Sequence, residues 1–371
     1  MLAILAGYPL WLRRNAIAQS EDPEPVSWPA VTIVVTTHNE AEFIFSKLQN
    51  VYAQDYPGPW RLIVADGAST DGTVEQVQRF AATHTGCRLL HIDCAGKTSQ
   101  LNAAFAECDT PWVFCTDADT RLPVDALRRM IAWGEAAADR LAVGTAIVPG
   151  DSHVLEGVHW RALNRLRAAE HACGSASIVT ATGLIFRRRL LTALPTDVIA
   201  DDVHIAFSAL AAGGRVGFAD VIGVELRSPG DLQELFLHKL RKGRALLREI
   251  LRFLPRMRRM RPAARRIFLW RAAQILLAPL LFMAATVLAP AAIVLEPARA
   301  IPFLGVASVF GCLLGSPWKR PGLVSLQMLA LGAFVLSVLS LGLLTYPFVL
   351  QSSIFWRVRT RTASAASPLP S

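Results

Sequence analysis

Between residues 272 and 356 the chain is almost without charge, while the stretch just before it, Lys239 to Arg271, holds thirteen basic residues against one acid, Glu249. A run this apolar must leave water, and its basic flank says how: Lys and Arg stay on the cytoplasmic side of a bilayer. Breaks at Glu296-Pro297 and Trp318-Lys319-Arg320-Pro321 divide the run into Ile267 to Ala289, Ala300 to Gly315 and Leu323 to Trp356. A crossing needs about 20 residues. Three simple crossings would leave Arg357, Arg359 and Arg361 outside, against the charge rule. A fourth or re-entrant piece after Tyr346-Pro347 would bring them back, so three and four crossings stay open. The expectation is a multi-pass protein of the cytoplasmic (inner) membrane whose globular part faces the cytoplasm.

That globular part is ordinary in composition once the two special stretches are set aside. The formal charge of +9 comes from the basic stretch, which carries +12 and leaves −3 for everything else. An apolar content of 53% and six scattered cysteines without CxxC spacing exclude a disordered chain and a disulfide scaffold. Cys87, Cys94, Cys108, Cys115 and Cys173 read as reduced thiols of a cytoplasmic domain. At the start, Met1 to Leu12 is too short to span alone. It is an interfacial helix, part of a longer span or, least in keeping with its trailing Arg13-Arg14, a signal peptide. Six stretches follow: an apolar anchor or partial span (1–14), a linker rich in proline (15–30), a globular domain (31–230), basic amphipathic interfacial helices (231–266), a transmembrane region (267–356) and a tail (357–371).

From Val31 onward, short β-branched runs alternate with helical stretches. Val31 to Thr36, Arg61 to Ala65, Arg88 to Ile92 and Trp112 to Thr116 read as strands; Glu40 to Gln54, Thr73 to Thr83 and Thr98 to Glu107 read as helices. Such alternation predicts an α/β fold with a Rossmann-like, mostly parallel sheet covered on both faces. Further strand-like runs lie at Leu141 to Val148 and Ile178 to Phe186, and Asp201-Asp202 opens a helical stretch. In an open α/β sheet ligands bind beyond the carboxyl ends of the strands. Thr37-His38-Asn39-Glu40, Asp66 and Asp117-Ala118-Asp119 all fall there. Two aspartates in a turn are commonly turn chemistry alone. With Glu40, Asp66, Lys97 and Asn102 beside them, they suit a divalent cation shared with phosphates.

These segments resemble the family 2 glycosyltransferases, inverting enzymes with the A-type fold, including lipid-directed and hyaluronan- or cellulose-synthase-like members. VTIVVTTHNE (Val31 to Glu40), QDYP (Gln54 to Pro57), LIVADGASTDGT (Leu62 to Thr73), GKTSQLNAAF (Gly96 to Phe105) and FCTDADT (Phe114 to Thr120) are similar to the family's motifs in order and spacing, over roughly residues 30 to 250. The resemblance implies a nucleotide-sugar donor, UDP-linked by preference, held at its nucleoside by Thr37, Glu40 and Asp66, with Lys97 near the nucleotide. Asp117 would face the donor, and Asp119 with Asp117 would bind Mn²⁺ or Mg²⁺. Asp202, in Ile199-Ala200-Asp201-Asp202, matches the family's Thr-Glu-Asp position for the general base, although Thr-Glu is replaced; Asp201 reads equally as a helix N-cap.

The Gln-x-x-Arg-Trp segment of processive synthases corresponds to His238-Lys239-Leu240-Arg241-Lys242. Arginine is kept, Gln becomes His and Trp becomes Lys. Loss of the Trp that adjoins the growing glycan argues for a single transfer to a lipid or lipid-linked acceptor; a processive polysaccharide synthase is the alternative. Arg241 and Arg244, on one helical face, would meet the donor phosphates. For the run from Arg248 to Arg271 an anionic membrane surface is the expected partner. A nucleic-acid-binding role for these basic residues leaves the acidic strand ends without a purpose and is not expected. His153, His159 and His171 read as structural.

Overall fold

The structure is a computed structural model that describes residues 2–17, 24–93, 96–180, 182–295 and 324–346. Its frame is a single eight-stranded sheet: β1 (Val31–Thr37), β2 (Trp60–Gly67), β3 (Cys87–Ile92), β4 (Trp112–Asp117), β5 (Thr120–Arg121), β6 (Arg140–Pro149), β7 (Leu184–Arg187) and β8 (Arg215–Glu225). The spatial order is β3-β2-β1-β4-β7-β6-β8-β5. β3, β2, β1 and β4 are parallel, β7 is antiparallel to both β4 and β6, and β8 is parallel to β6. The mostly parallel sheet read from the sequence is therefore present. Ile178 to Phe186 departs from it, forming a strand only from Leu184.

Alternation along each strand sorts the side chains into two cores, as the pleat requires. Val31, Ile33 and Val35 face the layer of α2 (Ile44–Tyr52), α3 (Thr73–Thr83) and α5 (Ala126–Glu135). Val34, Ile63, Val113 and Cys115 face the layer of α4 (Lys97–Ala106), α7 (Asp201–Ala211) and α8 (Leu232–Phe253). α6 (Val154–Ala172) packs beside β6 and β8. Buried His204 on α7 meets Glu249 on α8 at 2.7 Å, which fixes the helix opened by Asp201 and Asp202 to the basic helix.

After α8 the chain turns through a 3-10 segment (Leu254–Arg259) into α9 (Pro262–Ala272), a π turn (Ala273–Leu277) and α10 (Ala278–Leu295). Pro262–Leu288 is, among the described residues, the one helix long and apolar enough to cross a membrane by length and composition. α11 (Val324–Thr345) packs on α8 and α10. The expected segment Ala300 to Gly315, the break after Tyr346 and the tail lie outside the described residues. So do Cys94 and residues 18–23 of the linker.

The amino-terminal helix α1 (Leu2–Asn15) packs against the globular domain. Tyr8 and Leu12 are fully buried with Cys173 of α6 and Ile267 of α9, and Tyr8 stacks on Trp270. The Tyr8 hydroxyl donates to Glu170 at 2.6 Å, and Arg271 donates to the same carboxylate at 2.5 Å.

Candidate active site

Strand register gathers the expected residues. Thr37 lies opposite Asp66 across the β1–β2 pair, and Thr36 lies opposite Asp117 across β1–β4. The carboxyl ends of the three strands thus share one edge. The loops beyond β1 and β2 are stapled together. Asn39, at a positive φ of 57°, accepts from the Thr70 amide at 2.9 Å, and its own amide donates to Ser69 Oγ at 2.8 Å. The amide of Glu40 donates to Thr73 Oγ1 and that of Ala41 to Asp71 Oδ2. Much of the THNE and DGASTDGT pattern therefore builds the rim. Asp66 itself is fully buried and accepts from Thr37 Oγ1, from Ser69 Oγ and from the Ser69 amide.

Lys97 opens α4 beside these strand ends. Its ammonium lies 2.7 Å from Asp117 and 3.3 Å from Asp201, so it bridges the strand-end aspartate to the pair that opens α7. Burial works against its charge, but Asp117 and Asp201 prevail and hold it well above its usual range. α4 is tied to the approach to α7. Thr98 Oγ1 donates to the Val198 carbonyl at 2.6 Å, and Asn102 exchanges hydrogen bonds with Leu194. Asn102 thus aligns the Asp201-Asp202 turn. Ala200 occupies the N-cap, with Asp201 and Asp202 both in the first turn, where the helix dipole favours negative charge.

Electrostatics at the site is dominated by crowded acids. Burial, partly offset by Lys97, pushes the Asp201 carboxyl up to about 6, with the adjacent Asp202 also raising it. Asp202 is raised for the same leading reason, burial, against Lys97. Asp119 is raised by burial and then by Asp117. Like charges side by side at a strand end suit a cation whose remaining ligands are phosphate oxygens and water. Among the described residues no cluster of three or more His, Cys, Asp or Glu side chains stands ready to hold a metal, so protein ligands alone do not complete such a site.

Three side chains at this edge carry no sequence motif. Arg227, after β8, holds Glu40 through two hydrogen bonds of 3.0 and 2.8 Å. The Glu40 carboxylate is thereby engaged with a guanidinium; burial still lifts it to about 7, with Arg227 opposing and Asp119 adding to the rise. Glu225, two residues earlier, is pushed to about 7 by burial. Beneath the Asp117-Ala118-Asp119 turn, Lys47 of α2 is 1% exposed and donates to Thr116 Oγ1 at 2.6 Å and to Thr120 Oγ1 and its carbonyl at 3.1 Å. Burial lowers its ammonium to about 7 against the pull of Asp117 and Asp119.

On α8 the two expected phosphate-binding arginines diverge. Arg241 is within the field of Glu225 and Asp117. Arg244 instead donates to Thr345 Oγ1 on α11 at 2.5 Å. The basic run beyond is partly consumed internally: Arg252 meets Asp197 at 2.5 Å, Arg261 meets Asp139 at 2.6 Å, and Arg271 meets Glu170.

With the geometry given, the comparisons can be read. Residues 32–194 match the family model "Glycosyl transferase family 2". An N-acetylglucosaminyltransferase of Rhizobium meliloti (strain 1021) is 25% identical over 263 residues, which take in 66% of this chain and 62% of that protein. A poly-beta-1,6-N-acetyl-D-glucosamine synthase of Staphylococcus aureus (strain COL) is 23% identical over 219 residues, 57% of this chain and 53% of that one. The chain thus spans somewhat more than half the length of these curated relatives. The solved mannosyltransferase PcManGT from Pyrobaculum calidifontis, in complex with GDP-Man and Mn²⁺, superposes with a TM-score of 0.74 at 26% identity, covering 94% of this chain and 96% of that one.

Proposed function

The chain carries a family 2 glycosyltransferase domain on an A-type fold, and we propose that it moves one sugar, with inversion, from a nucleotide-diphosphate sugar to a lipid or lipid-linked acceptor at the cytoplasmic face of a membrane. One observation carries this reading: Lys97 joins Asp117, at the end of β4, to the Asp201-Asp202 pair that opens α7. That link brings a candidate phosphate and metal position next to a candidate base.

Asp117 and Asp119 would hold the divalent cation, Mn²⁺ or Mg²⁺; the Mn²⁺ named with the mannosyltransferase relative agrees with two crowded carboxylates short of ligands. Bound there, such an ion supplies positive charge to the diphosphate as it leaves. Asp66 and Thr37 would receive the nucleoside at the rim, and Glu40 acts there through its pair with Arg227. Arg241 would face the donor phosphates from α8, whereas Arg244, bonded to α11, would serve that interface. Asp202 would take the acceptor hydroxyl proton as the oxygen attacks the anomeric carbon and the bond to the diphosphate breaks. Burial, which raises its carboxyl, makes it the readier to accept that proton.

Relatives named for N-acetylglucosamine transfer and one solved in complex with GDP-Man leave UDP- and GDP-linked donors to be separated by experiment. The processive alternative draws support from the staphylococcal synthase and is opposed by Lys242, which stands where an aromatic platform would be needed. The test is a donor screen on the detergent-purified chain with Mn²⁺, reading UDP or GDP release with and without a total lipid extract, then mass spectrometry of the lipids. Lipid-dependent release with one added hexose or N-acetylhexosamine is expected. A long glycan made without added lipid would replace this reading by the processive one, and no release from any donor would end both.

A further inference from the structure

Away from the strand ends, on α6, cations crowd around one indole. Trp160, on α6 and 4% exposed, has Lys239 Nζ at 5.0 Å, Lys242 Nζ at 5.2 Å and Arg167 Cζ at 5.4 Å from its ring. Two of the surrounding charges are already satisfied. Lys239 meets Glu156 at 2.6 Å, and Glu156 also accepts from the Trp160 N–H at 2.7 Å. Arg271 is bound to Glu170, which takes further hydrogen bonds from Tyr8 and Ser177.

Arg167 and Lys242 are left over. Among the described residues neither is paired with a carboxylate. Arg167 is only 2% exposed, and its Nε and Nη1 are buried with no hydrogen-bond partner. An unpaired buried guanidinium costs several kcal/mol, a cost that an anionic ligand offsets. The carboxylates that act on Arg167 are Asp202 and Glu170, and Lys242 acts on Asp202 and Glu225. Arg241 shares the field of Glu225 and also lies in that of Asp117. Of these three cations, Arg167 and Lys242 are the two in the field of the candidate base Asp202. His159 and His238 complete the surroundings; burial and these same cations keep both well below the usual range, so neither adds charge, and His238 Nε2 is a buried atom without a partner. Leu155 on α6 and Leu235 and Leu240 on α8, the helices that carry these cations, pack with Phe334 and Val338 of α11 in one apolar cluster.

We propose that Arg167 and Lys242, set against Trp160, form an anion pocket beside Asp202 that receives a phosphate-class group of the acceptor. The proposal deepens the transfer reading above and rests on it for the identity of the acceptor side. It replaces a neutral sugar platform by a charged grip: the acceptor is held by its anion while its hydroxyl reaches Asp202. A phosphorylated lipid and a water-soluble sugar or polyol phosphate share this chemistry, and the apolar cluster on the same helices favours the lipid.

The experiment uses the full chain in a neutral detergent and two probes that differ by one phosphate, 1-oleoyl lysophosphatidic acid and 1-oleoylglycerol, with glycerol 3-phosphate as the soluble arm. Binding is read by native mass spectrometry, and Mn²⁺-dependent binding of UDP and GDP is followed in parallel by calorimetry. Two charge-assisted contacts predict a preference of at least about tenfold for the phosphorylated lipid. Lys242→Met should remove most of it, Lys242→Arg should keep it, and Arg79→Gln, on the exposed face of α3, should leave it unchanged. Glycerol 3-phosphate binding as tightly as the lipid would assign the pocket to a soluble phosphate. Equal binding of the two lipids, or a preference that survives Lys242→Met, overturns the proposal. Arg167→Met is a second variant, and should it not fold, the Lys242 series decides alone. Nucleotide binding without lipid discrimination defeats the pocket only, whereas loss of both would defeat the transfer reading.

Discussion

Lys97 shows how much one side chain can organise at this edge: it joins Asp117 to Asp201 and leaves Asp202, whose Oδ1 accepts from the Val203 amide at 2.8 Å, beside a charged pair. If Asp202 is the base, Asp202→Asn lowers transfer by about 10²- to 10⁴-fold while nucleotide affinity stays within about twofold of the parent. Sugar transfer and calorimetry on the same preparation check this, and a variant that keeps more than a few per cent of activity moves the base elsewhere. The acid limb of the pH profile follows from the same residues. A base works only when ionised, and burial raises the Asp202 carboxyl above the usual aspartate range, so kcat/KM should fall on the acid side with a midpoint above the ordinary aspartate value of about 3.9. A profile that stays flat down to about pH 4 would contradict that. At the neighbouring position, Asp119→Ala should weaken Mn²⁺-dependent nucleotide binding at least tenfold, an estimate from the cost of losing one charged ligand, and leave metal-free binding alone. The strand-end acids were legible in the sequence because a short polar cluster after an apolar run is a local pattern. Lys47, Glu225 and Arg227 were not, since each reaches the site from an element distant in the chain and has no pattern of its own.

Among the elements, β1 to β4 and α2 to α4 follow the sequence expectation to within a few residues, because β1 and β2 carry β-branched runs, β3 and β4 are short apolar runs, and α2 and α3 are amphipathic. β8 and α6 do not. β8 contains Gly217 and Gly223, which read as turn residues. In the fold Gly217 lies where an added Cβ would come within 2.7 Å of the Trp133 ring, and the strand is further broken in register against β6. α6 is hidden for another reason: its buried face includes Glu156, Arg167 and Glu170 beside Leu155, Val158 and Trp160, so apolar periodicity is diluted. Glu170 is fully buried and accepts from Tyr8, Arg271 and Ser177, linking α1, α6 and α9. Glu170→Ala would strand the Arg271 charge and should cost about 3–5 kcal/mol. Tyr8→Phe removes one hydrogen bond to a charged acceptor, about 1.5–3 kcal/mol. Thermal melts in detergent should show both losses, and the Tyr8 effect should shrink in the Glu170→Ala background, since both act through one carboxylate. Additive losses would mean that α1 is held mainly by its apolar contacts.

For the molecule as a whole, the strands of the candidate site, the basic helices and the apolar helix follow one another along the chain. From Ala272 to Leu295 the helix rises by roughly 35 Å at about 1.5 Å per residue, enough for a hydrocarbon core of about 30 Å. Leu280, Leu281, Val287 and Leu288 on it are exposed, as a lipid-facing surface would be. Just before it Arg256, Arg258, Arg259, Arg265 and Arg266 are also exposed, and none of these five makes an ion pair among the described residues. The uneven distribution of charge that the sequence displayed therefore acquires a geometry: arginines deeper in the run, such as Arg252 and Arg271, are used inside the protein, and the unpaired set is left on the surface. Pairing of this kind joins residues many positions apart and cannot be read from composition, which counts all thirteen basic residues alike. If this set meets anionic headgroups at about 1 kcal/mol per residue, then changing Arg258, Arg259, Arg265 and Arg266 together to Gln should cut flotation of the full chain with phosphatidylglycerol vesicles at least tenfold at low salt. Binding to neutral phosphatidylcholine vesicles should hardly change, because it reports the apolar helix. Raising the salt to about 0.5 M should reproduce the variant's behaviour in the parent, since screening shortens the reach of exposed charges. Salt-insensitive flotation, or equal loss on both vesicle types, would place these arginines away from the membrane and leave insertion of the apolar helix as the whole of the attachment.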